Sequence, residues 1–202
     1  MDERPNVGAV RDRCAARARK STIAERRAER AEIDDPQVVL DAALRFLEAR
    51  SRSVAEVRRR LSSAGYRGEL VEAAVDRLLE LGMLDDAAFA RAWVASRDRA
   101  RPRGESALRR ELGLKGVPRN VVAAALEERR EGAASVPDAG AGADETAAQR
   151  LIARHRAALD RVADPRKRRQ RAYALLARNG FDPEICARLA NRAATEAEPD
   201  GP

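Results

Sequence analysis

The segment LGLKGVPRNVVAAAL, residues 112–126, contains a helix-turn-helix joint centred on Gly116. Leu112 lies four residues before this glycine, Val117 follows it directly and Val121 comes five residues after it. Glycine is favoured where a helix ends in a left-handed residue, and apolar residues at this spacing fold the flanking helices against each other. The segment therefore predicts two short helices that meet at a glycine turn.

The same joint occurs twice more, in LSSAGYRGELVEAAV (61–75) and LARNGFDPEICARLA (176–190). In each segment a Leu precedes the glycine by four residues, an aromatic residue follows it, and a Leu or Ile comes five residues after it. A unit of about 45 residues buries little apolar surface alone, so neighbouring units are expected to stack. The pattern predicts three tandem repeats.

Helix start and stop signals complete the repeats. Asp precedes Pro at 35–36, 164–165 and 182–183, and Ser53 with Glu56 forms a capping box. Strand-like alternation is absent. We expect nine helices, at about 36–49, 54–64, 69–81, 86–101, 104–114, 118–131, 144–162, 165–178 and 182–195.

The predicted fold class is all-α, with three tandem three-helix (helix-turn-helix-like) repeats that form an elongated, curved array. Repeat 1 spans 36–82, repeat 2 spans 83–131 and repeat 3 spans 144–195. The Gly/Ala-rich segment 132–143 is predicted to be a flexible linker that lets repeat 3 swing relative to the other two. The basic segment 1–35 is predicted to be disordered or only partly helical, and the tail 196–202 is predicted to be disordered.

The charge balance favours an acidic partner. The 202 residues carry a formal net charge of +7, and the pI is about 10.3. All but three of the 40 basic residues are Arg, which together with the abundant Ala suggests a GC-rich coding bias. The positions of these residues are therefore more informative than their number.

Composition also limits the function classes. Cys14, Cys186 and His155 do not form a zinc-binding spacing, so reduced thiols and no cofactor or metal are expected. The chain contains no apolar run long enough to span a membrane and no apolar signal core, which predicts a soluble cytoplasmic protein without a membrane partner. Neither a phosphate-binding GK[ST] loop nor a Ser/His arrangement is present, so no enzyme activity and no catalytic residue are expected.

Basic residues recur on the middle helix of each repeat and on the loop that leads to it. A single basic run is usually a solvated helix face, but recurrence in three repeats favours a continuous binding surface. We name the predicted partner contacts the basic strip: Arg58, Arg59, Arg97, Arg103, Arg109, Arg110, Lys115, Arg168 and Arg169.

Sequence-specific DNA recognition is disfavoured, although a glycine turn before a third helix is typical of DNA-binding helix-turn-helix domains. The third helix of repeat 1 carries Glu69, Glu72, Asp76 and Glu80, which the phosphate backbone would repel.

Other residues are predicted to be structural. Phe89 is expected in the core, whereas Trp93, one turn later, fits either the core or an exposed edge. Asp85 and Asp86 are expected to cap the helix that begins at about 86. The structural set is Leu61, Gly65, Asp85, Asp86, Phe89, Trp93, Leu112, Gly116 and Gly180.

Residues 37–130 closely resemble the bacterial RecX family of RecA regulators. The most specific part of the resemblance is Gly82, Leu84-Asp85-Asp86, Phe89-Ala90, Trp93-Val94, Arg97, Gly104, Leu108, Glu111-Leu112 and Lys115-Gly116-Val117. It extends more weakly through 144–195. Members of this family are built of tandem three-helix repeats.

The resemblance implies a regulator, mainly an inhibitor, of the RecA recombinase in DNA repair and the SOS response. Such a protein would bind in the groove of the RecA nucleoprotein filament and modulate its ATPase, strand-exchange and co-protease activities. The implied partners are the RecA filament and, without sequence preference, single- or double-stranded DNA; a monomer is expected. The alternative is a basic helical DNA-binding or nucleoid-associated protein.

Overall fold

The computed structural model describes residues 22–134 and 142–195, which form ten α-helices and, within these ranges, no strand. The all-α prediction is confirmed, and the nine predicted helices lie within three residues of their expected bounds. The helices are α1 (Ile23–Ala31), α2 (Pro36–Glu48), α3 (Val54–Ala64), α4 (Gly68–Glu80), α5 (Asp86–Ala100), α6 (Glu105–Leu114), α7 (Arg119–Ala134), α8 (Ala143–Asp160), α9 (Pro165–Arg178) and α10 (Pro183–Thr195).

The helix α1 lies in the N-terminal segment that the sequence predicts to be disordered or only partly helical, and within the described part of that segment the chain is helical. The physical cause of this helix is a capping box: Glu25 N–H donates to Thr22 Oγ1 (3.2 Å), and Thr22 N–H donates to the Glu25 carboxylate (2.6 Å). Helices α7 and α8 also extend into both ends of the predicted linker. Residues 1–21, 135–141 and 196–202 lie outside the described residues.

Local signals set the helix ends. The Ser53–Glu56 capping box is present, and Asp85 Oδ1 accepts hydrogen bonds from the N–H groups of Ala87 (2.7 Å) and Ala88 (3.0 Å). The predicted glycine turns are confirmed by positive φ angles at Gly65 (106°), Gly116 (80°) and Gly180 (80°), and Gly82 (66°) also has a positive φ. A left-handed residue lets the chain reverse direction, so the next helix folds back on the last.

Each repeat has its own small core. Repeat 1 (α2–α4) buries Val39, Val57, Leu61, Val71 and Leu78; repeat 2 (α5–α7) buries Phe89, Leu108, Leu112 and Leu126; repeat 3 (α8–α10) buries Leu151, Leu176, Phe181 and Leu189. Truncation of one such Leu to Ala typically costs about 2–5 kcal/mol. Because each core is thin, contacts between repeats matter for the stability of the array.

The joint between repeats 1 and 2 places the glycine turn of repeat 2 against the N-terminus of α3. The buried Ser53 hydroxyl donates to the backbone oxygen of Lys115 (2.6 Å), and Val54 N–H donates to Asp86 Oδ1 (3.0 Å). Gly116 packs so closely on Ala55 that a Cβ at Gly116 would overlap the Ala55 methyl group. Asp86 therefore connects two repeats, in addition to starting α5.

The joint between repeats 2 and 3 has the same construction. Gly104 N–H donates to Asn179 O (3.0 Å), and the Ser106 hydroxyl donates to Gly180 O (2.7 Å). Glu105 N–H donates to Asp144 Oδ2 (3.0 Å), which matches the bond from Val54 to Asp86. The contacts between neighbouring repeats are therefore repeated along the chain, as the helices within each repeat are.

A buried arginine further ties repeat 3 to repeat 2. The Arg129 side chain in α7 is 7% exposed and donates both to Asp98 in α5 (2.9 Å) and to Asp144 in α8 (2.6 Å). Arg154 in α8 donates to Arg99 O at the end of α5 (2.6 Å). These bonds contradict the expectation that repeat 3 swings freely.

The close approach at Gly116 can be tested by adding one methyl group. Gly116→Ala should lower the free energy of unfolding by about 2 kcal/mol or more, because the new Cβ meets both a left-handed backbone and Ala55. Gly113→Ala is the matched control, since its Cβ would meet nothing within 4 Å, and it should stabilise the α6 helix by about 0.5–1 kcal/mol. Equal urea-unfolding free energies for the two variants would contradict the proposed joint.

Candidate interface for an acidic partner

A cluster of side chains surrounds Glu111 beside the first joint. Trp93 Nε1–H donates to Glu111 Oε2 (2.9 Å), and Arg97 Nε–H donates to the same oxygen (2.6 Å). Arg103 Nε lies 3.4 Å from the other carboxylate oxygen. Arg97 and Glu111 are only 24% and 20% exposed, so their interaction is partly shielded from solvent and salt.

The Trp93 ring lies at the boundary between core and surface. It stacks on Phe89 with ring centroids 6.0 Å apart, and Phe89 itself is 6% exposed. The Arg97 guanidinium lies 4.3 Å and the Lys115 ammonium 4.8 Å from the Trp93 ring centroid. Such cation–π contacts add to the ionic cluster, so Trp93 is a partly exposed edge residue held by two cations.

Lys115 connects this cluster to repeat 1. Its Nζ donates to Glu56 Oε1 (2.7 Å), and the two side chains are 18% and 13% exposed. Burial opposes ionisation of Glu56, but hydrogen bonds from Lys115 and from Ser53 N–H outweigh it, so the pKa of Glu56 is lowered. Lys115 is therefore committed to the joint.

Asp86 lies on the other side of the α3 N-terminus, and its pKa is shifted in the opposite direction from that of Glu56. Burial is the largest influence and raises its pKa, despite the hydrogen bond from Val54 N–H; the neighbouring Asp85 charge adds to the increase. Holding this carboxylate ionised at the joint has an electrostatic cost, which the backbone bond offsets only in part.

Other members of the basic strip are also paired. Arg58 makes a two-pronged contact with Glu72 (2.7 Å for Nη2), and Arg109 donates to Glu105 (2.6 Å). Arg103 Nη1 donates to the Asn179 side chain across the second joint. Both partners of the Arg58 pair are well exposed, so this contact contributes little stability and can be exchanged for another anion.

Arg168 does not contribute to an exposed surface. Its side chain is buried, with a relative exposure of 4%, and it donates to Val162 O (3.1 Å) and Ala194 O (3.0 Å). These carbonyl groups, next to α8 and near the end of α10, need a buried donor. The assignment of Arg168 to the basic strip is therefore wrong.

Three arginines of the strip remain accessible without a carboxylate partner. Arg110 and Arg169 are exposed and have no hydrogen-bond or ion-pair partner within residues 22–134 and 142–195. Arg59 is exposed and contacts only backbone oxygens, including Ala55 O (3.3 Å). These three lie on the middle helices α3, α6 and α9 and are the members of the strip that are exposed and have no carboxylate partner among the described residues.

The residues that hold the joints were not identified from sequence as connections between repeats. Asp86 and Asp144 both lie in the first turn of the first helix of a repeat. This shared position in the sequence could have indicated that they have the same role at the two joints. The role of Arg129 could not be recognised from the sequence, because its two partners, Asp98 and Asp144, lie on other helices, α5 and α8.

The described residues give no sign of a metal centre or a membrane anchor. None of their His, Cys, Asp and Glu side chains gather in groups of three or more suited to an ion. None of the described helices has both the length and the apolar character needed to cross a bilayer.

Removal of the Glu111 charge should loosen the cluster at Trp93. We expect Glu111→Gln to lower the free energy of unfolding by about 1–2 kcal/mol, because two hydrogen-bond donors lose an ionised acceptor and Arg103 loses its ion-pair partner. Since Trp93 is the only Trp, its fluorescence emission should shift to the red. Glu80→Gln, in an exposed pair with Arg77, is the control and should change stability by less than about 0.5 kcal/mol. Equal effects would exclude a central role for Glu111.

The Lys115–Glu56 bond should produce a pH-dependent stability. Because the folded-state pKa of Glu56 is lowered, its contribution is present above the unfolded pKa of about 4.3 and is lost as the pH falls through the folded pKa. The destabilisation by Lys115→Met, measured by urea unfolding, should therefore be greatest near neutral pH and shrink below about pH 4. Lys167→Met, at an exposed lysine, should have no such dependence; a pH-independent effect of Lys115→Met would refute the bond's contribution.

Comparison with known proteins identifies relatives of this chain. Residues 40–78 match the family model described as the first three-helix domain of RecX, and residues 85–126 match the second. The chain is 34% identical over 159 residues to the regulatory protein RecX of Mycolicibacterium vanbaalenii, covering 73% of this chain and 80% of the relative. It is 39% identical over 94 residues to the regulatory protein RecX of Prosthecochloris aestuarii, covering 46% of this chain and 62% of that one.

Solved structures show the same fold. The crystal structure of RecX from Lactobacillus salivarius superposes with a TM-score of 0.60 at 19% identity, over 82% of this chain and 97% of that one. A second crystal structure, of a regulatory protein RecX, gives a TM-score of 0.59 at 19% identity, over 81% and 70%. At this identity the likeness supports the helical repeat architecture.

Proposed function

The chain belongs to the RecX family of regulatory proteins, and on that premise we propose that it regulates the RecA recombinase. It binds in the groove of the RecA nucleoprotein filament and acts mainly as an inhibitor of ATP hydrolysis, strand exchange and co-protease activity. Its role lies in DNA repair and the SOS response, in the cytoplasm, and it acts as a monomer. It works by binding and carries out no catalysis.

The observation that carries this proposal is the series of accessible arginines on successive middle helices. Arg59 in α3, Arg110 in α6 and Arg169 in α9 are exposed without carboxylate partners among the described residues. Arg58 lies beside them in an exposed pair with Glu72 that an acidic surface can replace, and Arg109 is an exposed arginine paired with the partly buried Glu105. A repeated acidic partner, such as a protein filament, can engage several of these positions at once.

The remaining cations of the strip have a positioning role in this proposal. Arg103 and Lys115 bind Asn179 and Glu56 of neighbouring repeats, so they help to fix the angle between repeats. Arg97 binds Glu111 within repeat 2. A pre-organised array loses less conformational entropy on binding than a chain of loosely linked domains. Its differential affinity for one filament state then shifts the filament towards that state.

The proposal is tested by RecA ATPase activity on single-stranded DNA. Wild-type protein should suppress ATP hydrolysis at substoichiometric amounts, and no effect at equimolar protein in near-physiological salt would defeat the proposal. The double variant Arg110→Glu/Arg169→Glu should raise the half-inhibitory concentration by about tenfold or more, because two attractive contacts become repulsive.

A matched control separates specific contacts from net charge. Arg119→Glu/Arg150→Glu also changes two exposed arginines that have no carboxylate partner among the described residues, and it lowers the net charge by the same amount. It should shift the half-inhibitory concentration by less than about threefold. Equal losses in the two double variants would assign the effect to overall charge and remove Arg110 and Arg169 from the interface.

A further inference from the structure

The first joint (repeats 1 and 2) and the second joint (repeats 2 and 3) differ in the side chains that lie behind them. Arg129 of α7 and Leu78 of α4 are equally far from the glycine turns of their repeats, and so are Asp98 of α5 and Leu47 of α2. The buried ion pair between Arg129 and Asp98 therefore corresponds to two leucines in repeat 1, of which Leu78 is fully buried. The position that reaches across the second joint has no charge at the first.

The second joint is fastened by bonds that are costly to break. Arg129 donates to Asp98 in its own repeat and to Asp144 in the next one. Burial disfavours the charged guanidinium group, but the hydrogen bonds to these two carboxylates outweigh it, so the pKa of Arg129 is raised. In addition, Arg154 donates to Arg99 O (2.6 Å), and α7 packs along α8. Opening this joint would take one carboxylate away from a buried cation.

The first joint lacks such a fastening. Asp86 accepts a bond from Val54 N–H (3.0 Å), as Asp144 does from its counterpart, but it forms no salt bridge with any residue that the structure describes. The residue that corresponds to Arg154 is Ser96, which is exposed and makes no bond to the described part of repeat 1. Among the described helices, none of repeat 1 packs along one of repeat 2 as α7 packs along α8.

An open apolar cleft lies at the first joint. Its volume is about 690 Å³, and it is lined by Leu44 and Leu47 of α2, by Ala88 and Phe89 of α5, and by Met83 in the turn between α4 and α5. No hydrogen bond or ion pair within residues 22–134 connects the α2 side of the cleft to the α5 side. The cleft can therefore widen or narrow without separating charges, and narrowing it buries apolar surface.

We propose that the first joint opens and closes within the native protein, whereas the second joint stays shut. Repeat 1 rotates about the N-terminus of α3, the bond from Val54 to Asp86 breaks, and the cleft between α2 and α5 changes its width. The Lys115–Glu56 pair holds the closed angle, which predominates. Repeats 2 and 3, which Arg129 ties together, move as one body. The curvature of the array is thus adjusted at one place, without any partner.

The test is amide hydrogen exchange of the full chain, followed by NMR, because each joint contains one equivalent amide. Val54 N–H donates to Asp86 across the first joint, and Glu105 N–H donates to Asp144 across the second (both 3.0 Å). The protection factor, which corrects for the intrinsic exchange rate of each residue, should be lower for Val54 by about tenfold or more. Equal protection of the two amides, or better protection of Val54, would overturn the proposal.

Two other amides distinguish opening of the joint from fraying of α3 and from unfolding of repeat 1. Glu56 N–H donates to the Ser53 hydroxyl (3.1 Å) within repeat 1, so its protection should exceed that of Val54 by about threefold or more. If both amides exchange alike, α3 frays and the proposal fails. Val75 lies in the core of repeat 1 and should be better protected still. Equal protection of Val54 and Val75 would mean that Val54 exchanges only when the repeat unfolds, which would also contradict the proposal.

A double variant gives the second joint the residues of the first. Asp98→Leu/Arg129→Leu leaves the net charge unchanged and should lower the protection of Glu105 by about tenfold or more, while that of Val54 stays within about threefold of wild type. If Glu105 keeps its protection in the folded variant, Arg129 does not hold the joint and the proposal fails. If circular dichroism shows that the variant is unfolded, the wild-type comparison of Val54 with Glu105 decides.

The matched control removes an ion pair from the same two helices away from the joint. Arg91 in α5 lies 3.7 Å from Glu128 in α7, and both side chains are about half exposed. Arg91→Leu/Glu128→Leu also leaves the net charge unchanged and should alter the protection of Glu105 by less than about threefold. An equal fall in both double variants would assign the effect to packing of α5 on α7. These measurements contain no RecA, so their outcome is independent of the proposed regulation.

Discussion

The array depends on the contact between the glycine turn of one repeat and the N-terminus of the middle helix in the repeat before it. A helix N-terminus has N–H groups without partners, and the turn after a helix C-terminus has free carbonyl groups. At the second joint an N–H group of this kind binds such a carbonyl group directly: Gly104 N–H donates to Asn179 O (3.0 Å). At the first joint Ser53 supplies a hydroxyl donor instead. The absence of a Cβ on Gly116 and Gly180 permits the approach.

The same contact explains how the array ends within the described residues. Val54 and Glu105, at the first position of α3 and α6, donate their N–H groups to the next repeat, but the equivalent residue of α9 is Pro165, which has no N–H. Asp164 caps the following N–H groups itself. At the other end, α1 packs on the Gly65 turn, where a preceding repeat would otherwise dock. Terminal units of repeat proteins need such caps.

The sequence predicted what depends on local chemistry. The spacing of Leu112, Gly116 and Val117, repeated twice, determines the turns and so the helix count, and the capping residues determine the helix starts. The Thr22–Glu25 capping box carries the same kind of signal and could have predicted α1. The burial of Arg168 could not be predicted, because its acceptors are backbone carbonyl groups of Val162 and Ala194, which leave no mark in the residue pattern.

The two populations of arginine differ in how salt affects them. Pairs that hold the joints, such as Arg129 with Asp98 and Asp144, are shielded from solvent, and their interactions are weakly screened by added ions. Exposed arginines such as Arg110 and Arg169 face solvent, so added ions strongly screen their interactions with any anion. Rising ionic strength should therefore weaken contacts at the exposed arginines well before it loosens the array. A count of basic residues cannot distinguish the two populations. The distinction depends on which arginines already form ion pairs with a carboxylate in the folded chain.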